Sequence, residues 1–222
     1  MLGISFTKDK DSKLRVLCLG AHSDDIEIGC GGTILRLAAE YPNLHVHWVV
    51  FGANQPQRAA EAHASAQAFL NQVSAKEIVV KGFRDSFFPY IGAEIKEYFE
   101  DIKQAMSPDL IFCHTRHDFH QDHRLICELT WNTFRNHFIL EYEIPKYDGD
   151  IGSPNFFVQL DESTCLRKID YLFEYFKTQA SRDWFTKDTF LGLLRLRGIE
   201  SKAPNHYAEA FYARKVVVTV QG

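Results

Sequence analysis

Arg15-Val16-Leu17-Cys18-Leu19-Gly20-Ala21-His22-Ser23-Asp24-Asp25-Ile26-Glu27 decides how this chain is read. Its first six residues are almost continuously apolar, the pattern of a strand buried on both faces in a parallel sheet. A polar cluster, His22 to Glu27, follows at once, and then Gly29, Gly31 and Gly32. From Thr33 to Tyr41 the spacing turns helical, with Ile34, Leu37, Ala38 and Tyr41 on one side. Strand, glycine-rich loop and helix, in that order, open a βαβ unit.

The pattern continues outward from there. Leu44 to Phe51, Lys76 to Lys81 and Leu110 to His114 read as further strands. Arg58 to Leu70, Glu94 to Met106 and Arg124 to His137 read as helices, the second with Ile95, Phe99, Ile102 and Met106 on one face. This alternation predicts an α/β fold, a Rossmann-like, mostly parallel sheet flanked by helices. Beyond residue 138 a smaller C-terminal extension is expected. It comprises strands at Phe138 to Ile144 and Phe156 to Leu160, a helix at Ser163 to Thr178 and a final strand at Val216 to Val220. Lys146 to Pro154, with two glycines and a proline, reads as a loop. No internal repeat, low-complexity tract or linker interrupts the chain, so residues 1–222 are read as one domain.

Composition narrows the function. A net charge of -4 argues against a nucleic-acid partner, which usually demands a basic excess. No apolar run approaches the roughly 18 residues of a membrane span. Met1 to Lys13 is polar and lacks a signal-peptide core, so the chain is expected to be cytoplasmic. The five cysteines are odd in number and form no CxxC pair, which speaks against a disulfide framework or a cysteine-rich zinc site. Cys30 reads as a packing residue beside the glycines, with a nucleophilic role as its alternative.

A second cluster, His120-Gln121-Asp122-His123, lies just past the fourth predicted strand, as His22 lies just past the first. Ligands of open α/β sheets bind beyond the carboxyl ends of strands. By analogy with such sheets, a 3-2-1-4 strand order would bring both clusters to one switch point. Catalytic zinc commonly takes three protein ligands and a water, and His22, Asp25 and His123 supply two nitrogens and a carboxylate. Asp24 is then left as a base for the attacking water. His120, in protonated form, would stabilise a developing oxyanion, and Asp122 would hydrogen-bond an imidazole. Taken singly, each cluster also reads as a solvated loop, and the glycines as a tight turn. The spacing gives neither GxGxxG nor the Lys-Ser/Thr pair of a P-loop.

These residues carry a family pattern. The chain resembles the PIG-L/LmbE-like N-acetylglucosaminyl deacetylases, whose motifs are His-x-Asp-Asp-x-Glu followed by a glycine pair, and His-x-Asp-His. Here they stand as His22-Ser23-Asp24-Asp25-Ile26-Glu27 with Gly31-Gly32, and as His120-Gln121-Asp122-His123. Arg58 and Glu61 match the family's Arg-x-x-Glu helix start, and Asp85 follows the third strand where an Asp is usual. Arg197-Gly198 and Tyr207-Ala208-Glu209-Ala210-Phe211 look like the ending of many bacterial members. The resemblance implies His22, Asp25 and His123 as zinc ligands, with ferrous iron an alternative, and Asp24 as general base. It also implies that His120 stabilises the tetrahedral intermediate with Asp122 tuning it, and that Arg58 and Asp85 contact substrate. The implied substrate is a small-molecule N-acetylglucosaminyl compound or a glycoconjugate precursor. Ser23 and Gln121 stand where the family often has proline, so both ligand loops lose a stiffening residue.

Rival readings attach to particular residues. A zinc amidase acting on another acyl group, a noncatalytic metal- or sugar-binding protein and a nucleotide-binding enzyme all share parts of this pattern. Arg58 could form a surface pair with Glu61, and Asp85 could cap a turn with Ser86. Glu27 is expected to accept loop amides, and His114 and His117 to stand behind the second cluster. Phe83, Phe87, Phe88 and Tyr90, like Trp184, Phe185, Phe190 and Leu191, suit either a pocket wall or a contact between copies in a homo-oligomer.

Overall fold

Strand β1 (Leu14–His22) and the helix that follows it, α1 (Asp25–Glu40), set the frame of the computed structural model, which describes residue 3 and residues 12–217. β2 (Leu44–Gly52), α2 (Pro56–Phe69), β3 (Ala75–Val80), α3 (Gly92–Ala105), β4 (Leu110–His114), α4 (Gln121–Thr133) and β5 (Phe138–Tyr142) continue the alternation. The sheet order is β3-β2-β1-β4-β5-β7-β6, where β6 is Phe156–Leu160 and β7 is Tyr207–Ala213. The first five strands of that order are parallel, and β7 runs antiparallel to both β5 and β6. The expected 3-2-1-4 order is therefore the observed one. Two helices, α5 (Glu162–Tyr175) and α6 (Lys187–Glu200), lie between β6 and β7 in the chain.

Alternate residues of β1 face opposite sides of the sheet, as strand periodicity requires. Val16 and Cys18 join a core layer with Trp48, Phe69, Phe112 and Phe211. Leu17 and Leu19 join Phe51, Phe88, Phe99 and Phe134 on the other side. Helices cover both layers, which explains why the strands read as continuous apolar runs. No helix among the described residues is long and apolar enough to cross a membrane.

Two expectations are corrected. The glycine-rich stretch is not a loop, because α1 starts at Asp25 and the three glycines lie inside it. A Cβ at Gly29 would sit 2.2 Å from the Tyr142 ring, and one at Gly31 would sit 2.6 Å from Phe69. The glycines thus let α1 approach its neighbours at a helix-propensity cost of roughly 1 kcal/mol each. The last strand among the described residues is Tyr207–Ala213, which the reading did not include. Of the strand expected at Val216 to Val220, Val216 and Val217 belong to no strand and Val218 to Val220 lie outside the described residues.

β7 is tied to α1 through charge. Glu209 accepts from Gly32 N at 2.8 Å, Thr33 N at 2.6 Å and Thr33 Oγ1 at 2.6 Å. Lys168 of α5 donates to Glu209 at 2.7 Å and to the Ile28 carbonyl at 2.6 Å, and both side chains are buried. A Cβ at Gly32 would meet Glu209 Oε1 at 3.0 Å, so that glycine makes room for the carboxylate. Removing one partner of a buried pair leaves the other charge uncompensated. Glu209→Gln is therefore expected to lower unfolding free energy by about 3–5 kcal/mol, read from urea denaturation. A change near zero would contradict this account of the pair.

Candidate active site

β1 delivers His22 at its carboxyl end, and Asp24 and Asp25 follow at the head of α1. β4, which pairs with β1 from Val16↔Leu110 to Cys18↔Phe112, leads to His120 at the head of α4 and to His123 in its first turn. Strand adjacency thus brings the two clusters together. His22 Nδ1 and His123 Nε2 lie 3.0 Å apart. Asp25 Oδ2 is 3.4 Å from the first and 3.5 Å from the second. His120 is close by, its ring centroid 4.8 Å from that of His22 and 4.6 Å from that of His123.

Carboxylates stand behind both imidazoles. His123 Nδ1 meets Asp118 Oδ2 at 2.8 Å. His22 Nε2 lies 3.2 Å from Asp122 Oδ2 and 3.2 Å from Asp85 Oδ1. A proton held on each of these outer nitrogens leaves His22 Nδ1 and His123 Nε2 as lone-pair donors facing Asp25, the usual arrangement behind metal-binding histidines. The surroundings act oppositely on the two rings: burial and the neighbouring His114 push the His123 pKa down to about 4. Burial disfavours charged His22, but the Asp25 charge, with the hydrogen bonds His22 donates to Asp122, Asp25 and Asp85, raises its pKa well above the ordinary value. Burial likewise opposes ionised Asp25, yet His123, His114 and His22 outweigh it and hold its pKa well below the carboxylate range. Two lone pairs and an anionic oxygen converging this closely fit a divalent cation with nitrogen and oxygen donors. Other combinations also bring ligand atoms within 4.8 Å, namely His22 with His120 and His123, His22 with Asp85, His120 and Asp122, and Asp25 with His114 and His123.

Asp122, expected to tune His120, also engages groups beyond that ring. Its carboxylate accepts from Ser86 N at 2.6 Å and Phe88 N at 3.1 Å and reaches His22. Its backbone N–H donates to His120 Nδ1 at 3.3 Å, which makes His120 the N-cap of α4. The Asp122 carboxylate nevertheless keeps an oxygen within 4.8 Å of a His120 ring nitrogen, and its charge works to raise the His120 pKa. A neutral His120 accepting at Nδ1 carries its proton on Nε2, and its pKa is lowered by burial and by His22. The expected oxyanion role is therefore open to the neutral ring, as an N–H donor.

Asp24 caps nothing with its side chain. Its Oδ1 accepts from Arg58 Nη2 at 2.8 Å, while Oδ2 is buried and without a partner. Burial raises its pKa, opposed by Arg58. Arg58 and Glu61 do not form a surface pair, because both are largely buried and engage the segment after α5. Asp85 is exposed and bonded to Ser86, with its pKa lowered by its contact with His22. Arg58 and Asp85 both line a cleft of about 390 Å³ that also holds His22, Asp24, Asp25, His120 and His123. Asn54, Gln55, Tyr147, Gln179, Arg182 and Trp184 form its outer wall.

Other expectations resolve by position. Phe88 lies in the core beneath His22, whereas Phe87 and Tyr90 are exposed. Phe185 and Phe190 are core residues and Trp184 faces the cleft. Cys30 is buried and burial pushes its thiol pKa well up, in keeping with packing. Glu27 meets no loop amide. It is wholly buried, and burial outweighs Ser65 and its own backbone amide to push its pKa up to about 8. His114 does stand behind the second cluster. Its ring stacks on His123 with centroids 3.9 Å apart, and its Nε2 is 3.2 Å from Asp25.

Sequence reasoning missed Asp118 and Lys146. Lys146 Nζ lies 3.0 Å from Asp118 Oδ1 and 2.5 Å from Asp150 Oδ2, linking the β5–β6 connection to the carboxylate behind His123. An Asp five residues before a ligand histidine was a usable signal for the first. Nothing in the Lys146 to Pro154 loop pointed to the second.

The chain matches the PIG-L family, GlcNAc-PI de-N-acetylase, over residues 17–134, more than half its length. An uncharacterized deacetylase of Escherichia coli, YaiS, is 26% identical over 137 residues, which is 59% of this chain and 74% of the relative. Among solved structures, the N,N'-diacetylchitobiose deacetylase of Pyrococcus horikoshii superposes with a TM-score of 0.63 at 22% identity, over 89% of this chain and 82% of that one. The 4-carboxy-2-hydroxymuconate hydratase of Pseudomonas putida, GalB, gives 0.73 at 17% identity, over 94% and 99%. At these identities the solved structures speak for the fold alone, and a fold hosts more than one chemistry. The sequence match over the strand, ligand clusters and first four helices is what establishes that this chain belongs to the PIG-L family of deacetylases.

Proposed function

We propose that this protein is a metal-dependent hydrolase that removes the acetyl group from an N-acetylglucosamine-containing small molecule or glycoconjugate precursor. One observation carries the reading. His22 Nδ1, Asp25 Oδ2 and His123 Nε2 converge to within 3.5 Å, and Asp24, whose buried Oδ2 has no partner, lines the same cleft. Family membership and the deacetylases among its relatives support the acetyl group as the one removed. His22, Asp25 and His123 would hold the cation, zinc or ferrous iron. What such a cation supplies when bound is Lewis acidity toward an amide carbonyl and toward water.

The remaining work falls to the chain's own groups. Asp24 Oδ2 takes a proton from the attacking water, and Arg58 keeps Oδ1 in place. His120 Nε2–H donates to the carbonyl oxygen as it gains negative charge. The amide C–N bond then breaks, and the proton held by Asp24 passes to the departing nitrogen, leaving acetate and a free amine. Asp85, Asn54, Gln55 and Trp184 offer polar and aromatic contacts for the sugar at the cleft wall.

Metal-loaded protein assayed on a panel of N-acetylglucosaminides is expected to release acetate, and chelation is expected to stop it. No turnover on any member with metal bound, or release of a different acid, would sink the reading. Asp24→Asn should lower kcat by about 10²–10⁴-fold while metal content stays at the wild-type level. Wild-type turnover in that variant would remove Asp24 from the mechanism. Asp118→Ala, which strips the carboxylate from behind His123, should weaken zinc binding by about 10–100-fold in a competition titration. Unchanged affinity would make Asp118 a bystander.

A further inference from the structure

The catalytic clusters account for Asp24 Oδ2 but not for what keeps the other half of that carboxylate, and Arg58 with it, in place. Arg58 and Glu61 are three residues apart on α2 and share a face. Their facing groups are oppositely charged and largely buried, yet the closest approach is 3.6 Å, between Arg58 Nη1 and Glu61 Oε2. A guanidinium with one glutamate and one aspartate in reach faces a choice between two carboxylates. It takes Asp24, at 2.8 Å.

Thr178 stands between the two. It lies on a 3-10 turn, Lys177–Gln179, just after α5. Its backbone N–H donates to Glu61 Oε1 at 2.9 Å, and its hydroxyl donates to Glu61 Oε2 at 2.5 Å. An ionised carboxylate only accepts, so the single hydroxyl proton goes to Glu61. The hydroxyl lone pair then accepts from Arg58 Nη1 at 3.1 Å. Glu61 receives two donors from Thr178 and Arg58 receives an acceptor, so neither needs the other. Arg58 is left to spend its second nitrogen on Asp24. Thr178 itself and, farther along the same segment, Gln179, Arg182 and Trp184 line the cleft. The wall that faces substrate is thereby braced against the base.

We propose that Thr178 is a positioning residue, whose hydroxyl holds Arg58 on Asp24 and so presents Asp24 Oδ2 to the cleft. This rests on the reading of Asp24 as general base. In Thr178→Val, of nearly the same shape, Glu61 loses one donor and Arg58 loses its acceptor. Arg58 is expected to close on Glu61 and to release Asp24. Thr178→Ser keeps the hydroxyl and should keep the native contacts.

Crystal structures of the two variants test the geometry without reference to turnover. The Arg58–Asp24 bond should be lost in Thr178→Val and retained in Thr178→Ser. With an N-acetylglucosaminide that wild type turns over, Thr178→Val should lower kcat by about 10–100-fold, as a displaced catalytic group does, with KM within about twofold. Added to Asp24→Asn, it should cost nothing further, because coupled residues do not add. An intact Arg58–Asp24 bond in Thr178→Val overturns the proposal. So does a serine variant as impaired as the valine one, a loss confined to KM, or a loss that persists in the Asp24→Asn background. An inactive wild type would count against the deacetylase reading instead, and the crystal structures would still decide the role of Thr178.

Discussion

The parallel pairing of β1 with β4 is the constraint on which the rest depends. It is a switch point, since the chain leaves β1 toward β2 on one side and returns to β4 on the other. Connections on either side diverge there and leave a crevice above the strand ends. His22 at the end of β1 and His123 beyond the end of β4 are far apart in sequence, yet their nitrogens stand 3.0 Å apart. Bringing two imidazoles and a buried carboxylate to one point is unfavourable unless charge is compensated. The structure answers with Asp118 behind one ring and Asp122 and Asp85 behind the other.

That point must also be held still. α1 carries Asp24 and Asp25 in its first residues, so its seating sets the position of both. Glycines along its buried face let Tyr142, Phe69 and Leu160 press close. The buried Lys168–Glu209 pair then grips its backbone at Ile28, Gly32 and Thr33. The C-terminal extension is thus more than an appendage. β7 supplies Glu209, α5 supplies Lys168, and the turn after α5 supplies Thr178 at the other end of the same site. Stability and catalysis share elements here, which is where a substitution far from the clusters would be felt.

Much of this was legible in the sequence where the signal is local. The buried strands announce themselves as apolar runs, and the ligand types stand at strand ends. The start of α1 was not legible, because glycine argues for a loop until the contacts with Tyr142 and Phe69 are known. β7 was hidden for a related reason: Ala-Glu-Ala does not resemble a strand unless the glutamate has a buried partner. Asp122 was legible as a partner for an imidazole, but its bonds to Ser86 and Phe88 and its contact with His22 cross the fold. Asp118, Lys146 and Thr178 act only through contacts across the fold, which spacing along the chain does not encode.

The central claim is that His22, Asp25 and His123 hold a divalent cation beside a free Asp24. Anomalous diffraction from crystals of zinc-loaded protein tests it most directly. The account predicts a single strong peak bonded to His22 Nδ1, Asp25 and His123 Nε2 at about 2.0–2.2 Å, with Asp24 uncoordinated. A peak held elsewhere, for instance through His114, or one that includes Asp24 as a ligand, would contradict it.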